Sequence, residues 1–231
     1  MKYLVTGSKG QVGSSVKEEV NDAIGLDLSD SDIEADISDD GVIGKIKEEN
    51  PDVIVHCAAV TDLDYAEENP EAAESVNVEG TRNMIEAAES IDAHLIYIST
   101  DYVFNGKIGS YSEEDDSNPV SQYAQTKYQG EEEVRDSNTR STILRTSVVF
   151  KEEFENFFTW AKGELEEGNE VSAITDQICC PTYAPNLAEI IVEASEKELT
   201  GLYHATGDSK VTRYESVQIL REELDLDGKV K

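Results

Sequence analysis

Basic residues are what this sequence has least of for its size. Nineteen lysines and arginines stand against 50 aspartates and glutamates, a formal charge of -31 over 231 residues. A chain so acidic repels polyanions, which argues against nucleic acid or an anionic membrane surface as a partner. No run of about 20 apolar residues occurs, so no bilayer-spanning helix is encoded. The start, Met-Lys-Tyr-Leu-Val-Thr-Gly, goes directly into a strand with no apolar leader, and the expected location is the cytoplasm. Cysteine is scarce as well. Cys57, Cys179 and Cys180 have neither the even count nor the spacing of a disulfide framework or a zinc site, so no metal is expected. Cys57 reads as core at the end of an apolar strand, and the adjacent pair as small residues entering a turn before Pro181. Internal repeats, low-complexity tracts and flexible linkers are also missing.

What remains is a folded chain with an acidic coat. Its 38% hydrophobic content and clear strand and helix periods argue against disorder. The acids read as adaptation to a very salty cytoplasm, where the Debye length shrinks to about 3 Å at 1 M and self-repulsion is screened. A chain of this length buries one good core with at most a small appended lobe. The expected division is residues 1–150 and 151–231.

The first half alternates apolar strands with amphipathic helices, the pattern of a doubly wound α/β fold with a parallel sheet covered on both faces. Lys2–Thr6 forms a strand that runs into Gly7-Ser8-Lys9-Gly10-Gln11-Val12-Gly13, and a helix follows from Gln11 to about Val20. Glycines three apart let the backbone turn tightly beside a pyrophosphate, while the helix offers its N-terminal amides and dipole. This is a dinucleotide-binding loop, with Gly7, Lys9, Gly10, Gln11, Val12 and Gly13 as its candidate contacts. Asp27 ends the second strand, twenty residues after Gly7. An acid there hydrogen-bonds the adenosine ribose and favours a cofactor without a 2'-phosphate. Lys9 pulls the other way, and the choice between NADH and NADPH stays open. After a helix over 39–49, the strand over 52–57 ends in Ala58 and Ala59, small enough for a cofactor to lie against its tip. His56 reads as a strand residue, not a catalytic base. A single helix is expected over 70–90. Asn77 sits in its apolar stripe, which is costly unless hydrogen-bonded, so it is read as holding backbone or a water beside the site and joins the cofactor-binding set.

The chemistry is expected in Ser121 to Lys127, Ser-Gln-Tyr-Ala-Gln-Thr-Lys. On a helix Tyr123 and Lys127 share a face. A lysine ammonium beside the phenol favours the phenolate and is expected to bring its titration down from about 10, making Tyr123 a usable proton donor. Thr100, at the end of the strand Leu-Ile-Tyr-Ile-Ser-Thr, is placed to hold a carbonyl oxygen that Tyr123 protonates. The acidic loop Glu113–Asp116 reads as solvated surface. Beyond 151, Phe154, Phe157, Phe158 and Trp160 are expected to pack the small lobe against the main core, with sugar stacking by Trp160 the lesser alternative.

The run Ser99-Thr100-Asp101-Tyr102-Val103-Phe104-Asn105-Gly106, the Tyr123 to Lys127 motif, Leu144-Arg145-Thr146-Ser147, and Asp176-Gln177 through Pro181-Thr182-Tyr183-Ala184 together resemble the dTDP-4-dehydrorhamnose reductase family, the sugar-nucleotide branch of the extended short-chain dehydrogenases. The likeness extends from Met1 to about Leu220. It implies a Rossmann-type fold and NAD(P)H-dependent reduction of the C4 ketone of a nucleotide-linked 4-keto-6-deoxy sugar, in deoxysugar and surface-glycan biosynthesis. It also implies that Tyr123 is the general acid, that Lys127 binds the nicotinamide ribose and that Thr100 orients the carbonyl. Gly7, Gly10 and Gly13 would bracket the pyrophosphate, and Asp36 and Ile37 would flank the adenine. The expected partner is the nucleotide-sugar substrate, and a homodimer is compatible with the sequence. Three departures stand out. Val148 follows Ser147 where the family has tryptophan, Phe150 leads to Lys151 without the usual glycine, and the sequence stops at Lys231 where members continue. The missing tryptophan and the shorter C-terminus keep open a non-catalytic, dinucleotide-binding regulatory subunit similar to the methionine adenosyltransferase beta subunit. A nucleotide-sugar epimerase or dehydratase is the alternative within enzymes.

Overall fold

The structure, a computed structural model, describes residues 1–231 and divides into two compact units. The first comprises Met1–Thr146 and Pro185–Ala205. Its strands are β1 (Tyr3–Thr6), β2 (Ile24–Asp27), β3 (Ile33–Glu34), β4 (Val53–His56), β5 (His94–Thr100) and β6 (Ser141–Thr146), joined by a seventh at Gly201–His204. All pair in parallel, in the order Gly201–His204, β6, β5, β4, β1, β2, β3. Every residue of β1, β4 and β5 is buried, as continuous apolar runs in a two-face-covered sheet require. The helices are α1 (Gln11–Glu19), α2 (Gly41–Glu49), α3 (Leu63–Glu68), α4 (Pro70–Glu74), α5 (Gly80–Ile91) and α6 (Gln122–Asp136), with a further helix at Ala184–Glu196 in the returning segment. Leu4, Leu26, Ile46, Ile54, Met84, Leu95 and Tyr97 lie at the centre of the core, none exposed.

This order reverses direction between β1 and β4, and ligands of such sheets bind beyond the strand ends at that switch point. The ends of β1, β4 and β5 carry Gly7, Ala58 and Thr100 there.

Two elements differ from expectation. The helix over 70–90 is broken by one π-helical turn, Ser75–Glu79, between α4 and α5. Asn77 lies in that turn, wholly buried, and its side chain reaches sideways to the backbone of Val60. The widened turn coincides with this anchoring point, as such turns do at functional sites. Second, in place of a single cut after 150, the chain leaves the first unit at Ser147 and re-enters it at Pro185–Ala205, where Gly201–His204 extends the main sheet alongside β6.

The second unit, Ser147–Ala184 with Thr206–Lys231, is built on three two-stranded pairings. Val149–Phe150 pairs with Thr182–Tyr183, Ile178–Cys179 with Val211–Thr212, and Glu170–Val171 with Lys229–Val230. The expected strand over 171–175 is thus confined to Glu170–Val171. Helices Phe157–Glu166 and Arg213–Glu223 start on capping boxes led by Asn156 and Thr212. Ala161, Leu165, Val171 and Val217 form the core. Phe150 and Phe158 rings lie 4.8 Å apart, Phe157 carries the Arg213 guanidinium at 4.7 Å, and Trp160 is half exposed.

Val148 has φ +42°, a left-handed conformation that a β-branched residue adopts only under strain. It is held there because the Ser147 carbonyl accepts from the Thr182 hydroxyl at 2.7 Å and the Val148 carbonyl from the Thr182 amide at 3.2 Å. Val148→Gly is therefore expected to stabilise the fold by about 1 kcal/mol, strain relief exceeding the added chain entropy. Thermal unfolding should shift up by about 2–4 °C; a lower midpoint would show that the valine side chain contributes packing larger than its strain.

No helix is long and apolar enough to cross a membrane.

Candidate active site

The loop between β1 and α1 is shaped by what its glycines lack. Gly7 has φ +63°, and a Cβ there would sit 2.7 Å from the Ala58 amide nitrogen. A Cβ on Gly13 would meet the Gly7 carbonyl at 2.1 Å. Neither position admits a side chain, so the start of α1 closes directly over the ends of β1 and β4. Gly10 is the N-cap and supplies no side-chain cap, and no acid occupies the first turn. The loop therefore presents backbone amides and a positive dipole end to an anion, which fits a dinucleotide pyrophosphate. Gln11 and Val12 open the helix, half-buried, and Lys9 is exposed.

Asp27 stands at the tip of β2. Its carboxylate accepts from the Lys9 amide at 2.9 Å and the Leu28 amide at 2.8 Å, which fixes it beside the glycine loop. The adjoining depression is lined by Ser8, Lys9, Lys17, Asp30, Ser31 and Asp32. Lys17 is paired with Asp32 at 2.7 Å, and Lys9 is tied to Asp27 through its backbone amide. Asp36 is exposed and caps its own turn through the Ser38 amide and hydroxyl. Ile37 is turned into the core, where its side chain fills the space that a Cβ on Gly80 would need, and its carbonyl accepts from Asn83.

Ala58 and Ala59 follow β4, half-buried, and the Ala58 amide donates to the Thr6 hydroxyl. The Asn77 side chain is used in full on protein groups. It accepts from the Val60 amide at 2.8 Å and donates to the Val60 carbonyl at 3.1 Å and to the Thr126 hydroxyl at 3.0 Å. Its position is thus between the loop after β4 and α6, in a bracing arrangement. His56 is equally occupied: fully buried, it bonds the hydroxyls of Thr6 at 2.8 Å and Thr81 at 3.1 Å. Burial, with the Lys127 ammonium nearby, pushes its titration down to about 3. A neutral, fully bonded imidazole is a strand residue and no base at neutral pH.

Thr100 ends β5, and its hydroxyl lies near enough to the Tyr123 phenol on α6 to lower that phenol's titration. The helix begins at Ser121, whose hydroxyl accepts from the Ala124 amide and fixes where Tyr123 points. Lys127, one turn on, is buried with its Nζ 4.1 Å above the centre of the Tyr97 ring. The sheet-facing side of α6 approaches β5 closely at Gly130, where a Cβ would meet the Tyr97 hydroxyl at 2.3 Å.

Titration here runs opposite to the sequence expectation. Burial pushes the Tyr123 phenol up to about 12, against the lowering effect of the Thr100 hydroxyl and helped by Asp101 and Tyr102. Burial likewise pulls Lys127 down to about 7, although Glu131 and Cys57 oppose it. Desolvation disfavours both charged forms, and the spacing of the two residues in sequence carries no information about burial. The phenol is accordingly protonated at neutral pH, the state a proton donor needs.

Sequence reasoning missed Glu131 and underused Arg145, which share a wholly buried ion pair at 2.8 Å behind these residues. Glu131 is four residues after Lys127, so its signal was the same helical spacing extended one more turn. Cys57 is a thiol whose titration burial pushes up to about 12, and neither Cys179 nor Cys180 is in a disulfide.

A family model, the RmlD substrate binding domain, matches residues 1–231. The chain is 34% identical over 226 residues to a dTDP-4-dehydrorhamnose reductase of Aggregatibacter actinomycetemcomitans, covering 93% of this chain and 76% of that protein. It is 32% identical over 229 residues to a probable low-salt glycan biosynthesis reductase, Agl14, of Haloferax volcanii, covering 92% and 76%. Among solved structures, a dTDP-4-dehydrorhamnose reductase of Bacillus anthracis in complex with NADP superposes with a TM-score of 0.93 at 30% identity, covering all of this chain and 84% of that one.

Proposed function

The chain belongs to the RmlD family, that of the dTDP-4-dehydrorhamnose reductases, and from this premise we propose that it uses NAD(P)H to reduce the C4 ketone of a nucleotide-linked 4-keto-6-deoxy sugar. The observation that carries the reading is the buried Tyr123 phenol set beside the Thr100 hydroxyl at the end of β5, with Lys127 one turn away. The bound coenzyme supplies the hydride, and the protein supplies position and a proton. Thr100 donates to the ketone oxygen and holds it at Tyr123. Tyr123 then gives its proton to the oxygen as negative charge develops there. Lys127, as an ammonium, binds ribose hydroxyls and offsets the charge that Tyr123 acquires. Gly7, Gly10 and Gly13 with the amides of Gln11 and Val12 cradle the pyrophosphate, and Ala58 and Ala59 leave room against the end of β4. Asp27 reads the adenosine ribose, and Asp36 with the backbone of Ile37 borders the adenine. Asn77 acts one layer back, bracing Val60 and Thr126. The second unit, with Val148 in place of a tryptophan, takes the sugar.

The test is oxidation of NADPH and NADH, at high KCl, in the presence of a dTDP-4-keto-6-deoxy sugar generated in place. One coenzyme oxidised per ketone consumed is expected. A sugar product formed with no net coenzyme loss would mean an epimerase or dehydratase cycle. Coenzyme binding with no chemistry on any 4-keto sugar would point to a regulatory subunit.

A further inference from the structure

Resting on the reductase reading, a second layer of the site can be assigned. Glu131 lies on α6 two turns beyond Tyr123 and one beyond Lys127, on the same face, and is wholly buried. One carboxylate oxygen accepts from the Ser99 hydroxyl at 2.5 Å and Arg145 Nε at 2.9 Å. The other accepts from Arg145 Nη2 at 2.8 Å and Arg135 Nη2 at 2.7 Å. Ser99 immediately precedes Thr100, and Arg145 pairs with Ser99 in the register of β5 on β6. A single carboxylate thus joins the helix that carries Tyr123 and Lys127 to the strand that carries Thr100.

The groups facing Lys127 come from three elements. At the end of β4 are His56, with titration pushed down to about 3, and Cys57, pushed up to about 12. On β5 is Tyr97, which burial holds well above the ordinary phenol range. On α6 itself are Tyr123, protonated to about 12, and Glu131. At neutral pH the first four are uncharged, so Glu131 is the anion of this set. Arg145 and Arg135 stand behind it as cations.

We propose that Glu131 is a positioning residue for the reaction: it locks α6 to β5 so that Tyr123 meets Thr100, and it supplies the buried negative charge that keeps Lys127 an ammonium. Arg145 is the counter-ion that allows this carboxylate to be buried, since a lone buried charge is strongly destabilising. The arrangement answers a conflict within the site. Lys127 must be buried to reach a ribose and a phenol, and burial alone favours its neutral form.

The direct test is the titration of Lys127 followed by NMR in protein labelled with [13C-ε]lysine, its resonance identified by its loss in Lys127→Arg. Glu131→Gln is expected to move that titration down by about one pH unit, because the anion goes and the arginines stay. The alkaline fall of kcat/KM should move down with it, as catalysis is present while Lys127 is protonated and lost as pH rises through its titration. Should the single variant not fold, Glu131→Gln with Arg145→Met removes both buried charges and is expected to shift Lys127 in the same direction by less. A folded variant whose Lys127 titrates as in the parent would overturn the assignment. The lysine titration needs no turnover. An inactive wild-type protein would therefore sink the reductase reading, while a shifted or unshifted lysine would still decide the role of Glu131.

Discussion

Tyr123→Phe is expected to lower NAD(P)H-dependent ketone reduction about a hundred- to ten-thousandfold, the usual contribution of a positioned general acid. Dinucleotide affinity should stay within about twofold, because the change removes one hydroxyl and leaves the glycine loop untouched. The proton must reach an oxygen that gains charge only in the transition state, so the loss should appear in kcat and in kcat/KM alike. Thr100→Ala should be milder, since the phenol remains. It should also remove the lowering effect of the Thr100 hydroxyl on the Tyr123 titration. Measuring coenzyme binding by the fluorescence of NADH or NADPH, alongside turnover, separates the two roles. A Tyr123→Phe protein with more than a tenth of the parent rate would mean that water or another side chain delivers the proton.

Much of this site could be read in the sequence because its parts are local. The glycine loop is set by a strand, three glycines and a helix start within a dozen residues. Tyr123 and Lys127 share a face by helical spacing alone. What could not be read depends on burial. The direction of the Tyr123 titration follows from desolvation, and the same spacing on an exposed helix would have given the opposite sign. The wholly buried state of Glu131 depends on Arg145, fourteen residues away on another element. The return of residues 185–205 to the first unit is likewise non-local, because the partner of Gly201–His204 is β6, about sixty residues earlier. The acids of 113–116 show the same limit. All four are exposed, as a solvated loop should be, yet Glu113 accepts from the His204 amide at 2.9 Å and Asp115 caps Ser112. The π-helical turn at Asn77 had a sequence signal, a polar residue inside an apolar stripe, but the signal gave the need for partners and not their identity.

Catalysis and stability should both rise with KCl toward molar concentrations. The coenzyme and a nucleotide-linked sugar are polyanions, and they must approach a protein with a formal charge of -31. At 0.1 M salt the Debye length is about 10 Å, so many surface acids act together on an incoming phosphate; at 1 M it is about 3 Å and only near neighbours count. The glycine loop attracts the pyrophosphate through short-range amide bonds that salt screens little, whereas the long-range repulsion is screened strongly. The net effect should be a fall in coenzyme KM of about tenfold between 0.1 and 2 M KCl, with kcat changing less. The fold should respond in parallel, because self-repulsion opposes the compact state and the ion pairs available to relieve it are mostly exposed ones of small worth. A thermal midpoint that climbs with KCl while KM falls would place both effects on charge. Full activity in dilute buffer, or a KM that rises with salt, would mean that the acidic coat lies away from the path of the substrates and that the site's own cations, Lys9 and Lys127, govern binding at close range.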